Sequence, residues 1–155
     1  MKIFLVIIIV AVIFLLVRNN NNKAIAAENI KIGEQFLASN KSVEGVVETE
    51  SGLQYQVLKS AEGAEHPNPN SKVSVHYHGT LLDGTMFDSS VVRGKPLSFG
   101  LNQVIKGWTE GVQLMAVGDK FKFFIPSNLG YGNNATGKIA PGALLIFEVE
   151  LLAIQ

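Results

Sequence analysis

Residues Ile3 to Val17 form an unbroken apolar run of 15 between Lys2 and Arg18. As a helix this run would span roughly 22 Å at ~1.5 Å per residue. That is shorter than the ~30 Å hydrocarbon core of a bilayer. One reading is a short membrane anchor with Lys2 and Arg18 snorkelling to the headgroups. Another is a signal-peptide core cut after Ala24-Ile25-Ala26, with export of the rest. Arg18, four asparagines and Lys23 lie before that cut, where a signal peptide is normally short and uncharged, so the anchor is favoured. A buried core helix is the plain alternative, but an all-apolar helix has no amphipathic face to present. Lys2 and the amino terminus oppose Arg18, Lys23 and Lys31, so charge counting does not favour export of the C-terminal part.

Asn19 to Asn22 reads as a solvated linker. Ala24 to Asn40 has helical composition, with Ile25, Ile32 and Phe36 at helical spacing among Glu28, Lys31 and Glu34. It is expected to be a spacer helix, with pairing to a second copy as the alternative. From Ser42 the period changes to two. Leu53, Tyr55 and Val57 alternate with Gln54 and Gln56, and Val73, Val75 and Tyr77 with Ser74, His76 and His78. Phe121, Phe123 and Ile125 alternate with Lys120, Lys122 and Phe124, and Leu145, Phe147, Val149 and Leu151 with Ile146, Glu148 and Glu150. Each pattern predicts a strand with one face on a core. Asp83-Gly84 between two apolar segments predicts a hairpin. Only Ile105, Trp108, Val112 and Met115 make a helical stripe. The expected class is α+β, an antiparallel sheet packed on one short helix. The expected division is 1–18 anchor or signal, 19–41 linker and spacer helix, and 42–155 folded domain.

At 155 residues the chain holds one ordinary domain and an appendage. Thirteen basic and thirteen acidic residues cancel, and residues 41–155 carry nine against eleven. No bulk positive charge favours nucleic acid. There is no cysteine, which excludes disulfides, thiolate nucleophiles and cysteine-ligated metals and leaves the redox compartment open.

Several motifs invite chemistry without sustaining it. Gly130-Tyr131-Gly132-Asn133-Asn134-Ala135 and Gly132 to Lys138 fit dinucleotide and phosphate-loop patterns. Such loops need a helix start directly after them, and Ile139-Ala140-Pro141-Gly142 cannot open one. His76 and His78 share a strand face, but no third ligand stands at a recognisable spacing, so no metal site is expected. There is no nucleophile elbow or paired carboxylate.

Aromatic residues gather near turns instead: Tyr77, Phe87, Phe99, Trp108, Tyr131 and Phe147, with Asp88 directly after Phe87. Around them the chain reads Val75-His76-Tyr77-His78-Gly79, Gly84-Thr85-Met86-Phe87-Asp88-Ser89-Ser90 and Val104-Ile105-Lys106-Gly107-Trp108. Ile125-Pro126-Ser127, Leu129-Gly130-Tyr131-Gly132 and Leu145-Ile146-Phe147-Glu148 come next in order. These six blocks, from about Gly45 to Gln155, resemble the FKBP family of peptidyl-prolyl cis–trans isomerases. The lead-in from Glu44-Gly45-Val46 to Ser51-Gly52-Leu53-Gln54-Tyr55 is similar to bacterial members of the macrophage-infectivity-potentiator type, which carry an N-terminal helical segment and act outside the cytoplasm.

The resemblance implies a half-open antiparallel sheet wrapped around one helix. It implies a catalytic pocket of Tyr77, Phe87, Asp88, Ile105, Trp108, Tyr131 and Phe147. Trp108 would be the floor, the Ile105 N–H would meet a substrate carbonyl, and the Tyr131 hydroxyl would donate a second bond. Leu97, Phe99, Val104 and Ile139 would add substrate contacts. Leu97 replaces a frequent aromatic wall and Gln103 a frequent acid, while Thr136 and Ala140 are small, which bears on binding of rapamycin-type macrolides. The implied function is accelerated rotation of X–Pro bonds in unfolded or nascent polypeptides, without cofactor, by a monomer or weak dimer. It would be anchored with its domain on the extracytoplasmic, periplasmic side or secreted after cleavage. The alternative is a binding module or chaperone of the same fold that holds proline-bearing partners with little catalysis.

Overall fold

The computed structural model describes residues 2–155, with side chains from Val6 onward. Its first element is one continuous helix, α1 (Lys2–Asn40), of 39 residues. The expected break at Asn19 to Asn22 is absent, and the anchor and spacer are one rod. No glycine or proline interrupts residues 18 to 32. An asparagine costs a helix at most about 0.7 kcal/mol relative to alanine, so helical flanks carry through the tract. From Val6 onward the large side chains of the apolar run are exposed on every side, from Val12 at 48% to Phe14 at 64%, which removes the buried-helix reading.

Seven strands complete the sheet: β1 (Val46–Glu48), β2 (Gln54–Lys59), β3 (Lys72–Thr80), β4 (Met86–Ser89), β5 (Leu97–Gly100), β6 (Lys120–Ile125) and β7 (Leu145–Ile154). Two short helices, α2 (Ser90–Arg93) and α3 (Lys106–Val112), lie among them. The sheet is antiparallel in the order β1-β2-β6-β7-β3-β4. One edge of β3 is shared. His78 to Thr80 pair with β4, Lys72 to Val75 pair with β5, and α2 turns between them. The hairpin expected at Asp83-Gly84 joins β3 to β4.

The sheet curls over α3. Trp108, Val112 and Met115 are buried against Val73, Val75, Tyr77, Phe121, Phe123, Phe147 and Val149. Strand alternation is strict along β3 and most of β7, as the period-two pattern requires. Glu110 of α3 accepts bonds from Ser51 Oγ at 2.6 and 2.7 Å, tying the helix to the turn before β2.

Two strands depart from simple alternation because α1 covers part of the outer sheet face. Phe124, placed by pattern on the solvent side, is buried and packs on Phe36 of α1 with ring centroids 5.8 Å apart. Gln54 is wholly buried. Its Nε2 donates to Leu37 O and Glu48 Oε2, both at 2.8 Å, and its Oε1 accepts from Asn40 Nδ2 at 2.8 Å. Val57 is instead 46% exposed. On α1 the docked positions are Ala26, Gly33 and Asn40, with Asn29, Phe36 and Leu37 half-buried, whereas Ile25 and Ile32 stay exposed. Small residues face the domain because the helix backbone approaches it closely.

Candidate active site

The inward side of β3 presents Tyr77, and β7 presents Phe147 beside it. β4 carries Phe87 and Asp88 to the rim. The turn before α3 supplies Val104 and Ile105, and α3 places Trp108 at the base. Residues 126–144 connect β6 to β7 and bring Tyr131 and Ile139 to the opposite wall. These groups line one open cleft of about 630 Å³ together with Leu97, Gln103, Thr136, Gly137 and Lys138.

The rings meet mostly edge to face. Trp108 stands 5.1 Å from Phe147 and 5.2 Å from Tyr77, both at 80°, and Phe87 stands 5.2 Å from Phe147 at 89°. Such pairs are worth about 0.5–1.5 kcal/mol each beyond their area, so the bowl is held in one arrangement. Tyr77, Trp108 and Phe147 are each 5% exposed. Ile105 precedes α3, where the first N–H groups of a helix lack internal partners. Its O accepts from Trp108 and Thr109, while its own N–H has no partner among the described residues.

One wall is polar. The Tyr77 hydroxyl donates to Asp88 Oδ2 at 2.5 Å. Arg93 donates to Asp88 Oδ1 through one nitrogen and to the Tyr77 hydroxyl at 2.9 Å through the other. Its guanidinium also lies 5.7 Å from the Tyr77 ring centroid. Burial pushes the Asp88 carboxyl up, but bonds from Tyr77 and Arg93 and the guanidinium charge hold it below the usual carboxylate value. Burial first, and then the bond to Asp88, push the Tyr77 phenol above its ordinary value. Both groups therefore keep one protonation state across neutral pH.

The single turn α2 delivers Arg93. Ser89 caps its start, accepting from Val92 N at 3.2 Å. Ser90 Oγ accepts from Tyr77 N at 2.8 Å, which locks α2 against β3 beside the phenol. His76 and His78 lie on the outer face, within 3.0 and 2.9 Å of Ser90 Oγ and Ser89 Oγ, opposite Glu150 and Glu148. Among the described residues no three histidines or carboxylates converge.

Of the eleven residues singled out from sequence, ten line the cleft and Phe99 does not. Phe99 packs behind Trp108, with centroids 5.2 Å apart, and so supports the floor from outside. Ala140 also lies off the lining. Sequence reasoning missed Arg93, whose one signal was Ser89-Ser90 and Gly94 bracketing a single turn five residues beyond Asp88. It also passed over Gly137 and Lys138 as wall residues. The phosphate-loop pattern is an extended loop here. Thr136 and Ile139 exchange two backbone bonds of 2.9 Å, and no helix comes after it.

A family model described as FKBP-type peptidyl-prolyl cis-trans isomerase matches residues 63–152, and one for the domain amino terminal to it matches 13–57. The FKBP-type isomerase FkpA of Aeromonas hydrophila is 62% identical over 130 residues, 84% of this chain and 48% of that protein. The crystal structure of FkpA from Escherichia coli superposes with a TM-score of 0.83 at 40% identity, covering 88% of this chain and 63% of that one. A peptidyl-prolyl cis-trans isomerase structure from Pseudomonas syringae pv. tomato superposes with a TM-score of 0.77 at 37% identity, covering 84% and 96%. The chain thus spans about half the length of the Aeromonas relative, 48%.

Proposed function

Because this chain belongs to the family of FKBP-type peptidyl-prolyl cis–trans isomerases, we propose that its aromatic cleft binds X–Pro segments of polypeptides and accelerates their rotation. The observation that carries this reading is the edge-to-face bowl of Trp108, Phe147, Phe87 and Tyr77, with the Ile105 N–H on its lip unpaired among the described residues.

Rotation about an X–Pro bond crosses a barrier of ~18–20 kcal/mol because twisting removes amide resonance. No bond breaks, so no nucleophile, metal or proton shuttle is needed. The site has only to fit the twisted imide better than the planar one. The prolyl ring sits on Trp108 between Phe87 and Phe147, where a dry apolar wall disfavours the charge-separated planar amide. The Ile105 N–H and the Tyr131 hydroxyl hold the flanking carbonyls, and Asp88, braced by Tyr77 and Arg93, faces the imide. Val104, Leu97 and Ile139 contact the neighbouring side chains. An acceleration of ~1,000-fold asks for only ~4 kcal/mol of differential binding.

An exchange-NMR or protease-coupled assay on a Leu-Pro peptide with the full chain in detergent tests this. Asp88→Ala and Tyr131→Phe should each lower kcat/KM about tenfold with the fold retained. A well-folded parent without catalysis removes the isomerase reading. Leu97, 42% exposed where the resemblance places an aromatic wall, favours the binding-module alternative. That alternative is supported if the chain suppresses aggregation of a proline-free client without catalysis.

The support for a membrane location is the exposed apolar run of α1, the one helix among the described residues long and apolar enough to cross a bilayer. In this reading residues 1–18 anchor the chain and 42–155 form an extracytoplasmic isomerase domain. Only about 14 Å of continuous helix separates Val17 from the docked Ala26, so the cleft rides close to the bilayer. Digestion of the domain by protease added to spheroplasts supports that side. Protection until lysis places it inside, and release of the domain without the apolar run supports a signal peptide.

A further inference from the structure

Besides its contact with the sheet through Phe36, Leu37 and Asn40, α1 meets one leg of the loop that walls the cleft. Asn29 Nδ2 donates to Pro141 O at 2.8 Å. At Gly142 a Cβ would lie 2.7 Å from Ala26 Cα, and the residue also has φ +74°, so space and backbone alike require glycine there. Gly33 faces Leu144, where a Cβ would lie 3.3 Å from the leucine Cβ. Ala26 is 1% exposed and, with Gly33 and Asn40, is one of the buried positions of the helix.

The same leg is bonded to the cleft. Gly142 N donates to Gly132 O and Gly132 N to Ser127 O, both at 2.8 Å, and Tyr131 is the residue immediately before Gly132. The intervening segment, residues 133–138, is exposed throughout and held by the Thr136–Ile139 pair, a 3.2 Å bond from Asn134 N to Tyr131 O and a 3.5 Å bond from Lys138 Nζ to Met86 O. A loop this long holds few positions by its own contacts. Its order therefore depends on what grips its ends.

We propose that α1 is a positioning element of the cleft: Ala26, Asn29 and Gly33 clamp Pro141–Leu144, and through Gly142 and Gly132 the clamp sets the place of Tyr131. These are positioning residues, remote from any bound peptide. The helix that leads into the bilayer and the wall of the binding site are one mechanical unit. The catalytic consequence rests on the isomerase reading, whereas the clamp itself does not.

The test compares Asn29→Ala and Ala26→Leu with Ile32→Gln, a control on the exposed flank of α1, all in the full chain. Amide hydrogen exchange at Gly132 and Gly142 reads the clamp without reference to catalysis. Asn29→Ala should speed exchange at both amides about 2- to 10-fold, the range one hydrogen bond commands. Ala26→Leu should do more, and Ile32→Gln nothing. On a Leu-Pro peptide, KM should rise severalfold in the two clamp variants with kcat nearly unchanged, because Tyr131 holds ground and transition states alike. Unchanged exchange in Asn29→Ala overturns the proposal, as does an equal rise in the control. Should Ala26→Leu fail to fold, Asn29→Ala, which removes a single bond, decides alone. A parent that shows no catalysis strikes the isomerase reading, and the exchange data still decide the clamp.

Discussion

Arg93→Leu isolates the polar brace from the aromatic bowl. In the parent, the two Asp88 oxygens are both occupied, one by the Tyr77 hydroxyl and one by Arg93. The substitution leaves Asp88 with a single side-chain donor and frees it to turn away from the cleft. The side chains of Arg93 and Asp88 are 50% and 45% exposed, so solvent screens their ion pair to ~0–1 kcal/mol. Loss of the 2.9 Å bond to the Tyr77 hydroxyl adds ~0.5–1.5 kcal/mol. The sum, about 0.5–2.5 kcal/mol, predicts a fall in kcat/KM of roughly 2- to 70-fold. Stability should fall by no more than that same sum, because leucine retains most of the apolar stem and the turn keeps its caps. The assay is exchange NMR on a Leu-Pro peptide, with thermal melts run alongside. Arg93→Lys should fall between, since an ammonium keeps the charge but cannot fork to both partners. Activity of Arg93→Leu within twofold of the parent would refute the view that the brace orients Asp88.

The brace also sets the pH profile. Asp88 is depressed in the folded chain, so its contribution is present above the ordinary carboxylate value of ~3.9 and lost as pH falls through the lower folded value. Tyr77 is raised, so its contribution is present below ~10 and lost as pH climbs through the higher folded value. Activity should be flat from about pH 5 to pH 9. A midpoint near ~6.5, the ordinary histidine range, would instead implicate a group outside the cleft. Gly79→Ala places a Cβ 2.6 Å from Phe87 Cζ and 2.8 Å from Phe147 Cε1. Overpacking of this kind costs about 1–3 kcal/mol, so the melting temperature should fall and the bowl widen. An unchanged melt with full activity would show that the two rings yield freely.

The strands β3 and β7 and the α3 stripe were legible in the sequence, because each depends on a local period. Tyr77 and Phe147 face inward for the same reason that Val75 and Val149 do: alternate residues share one sheet face. That Tyr77, Phe87, Asp88, Ile105, Trp108, Tyr131 and Phe147 make one pocket came from the six-block resemblance. Arg93 was less legible, because its role needs β3, β4 and α2 brought side by side. Phe99, a substrate contact by resemblance, lies one layer behind the cleft against Trp108, because likeness of sequence names the rings near a pocket but not how far each lies from it.

Tertiary structure alone decided how α1 relates to the domain. A helical period marks Ile25, Ile32 and Phe36 as apolar, yet only Phe36 docks, and the stripe toward the loop is Ala26, Asn29 and Gly33. Close approach of two backbones selects small residues and a hydrogen-bonding amide, and hydrophobicity does not report closeness. The burial of Gln54 and Phe124 arises from the same contact. What the chain wrote locally, in period and turn, could be read from it. What depended on a helix meeting a loop more than a hundred residues away could not, because no local pattern encodes the partner.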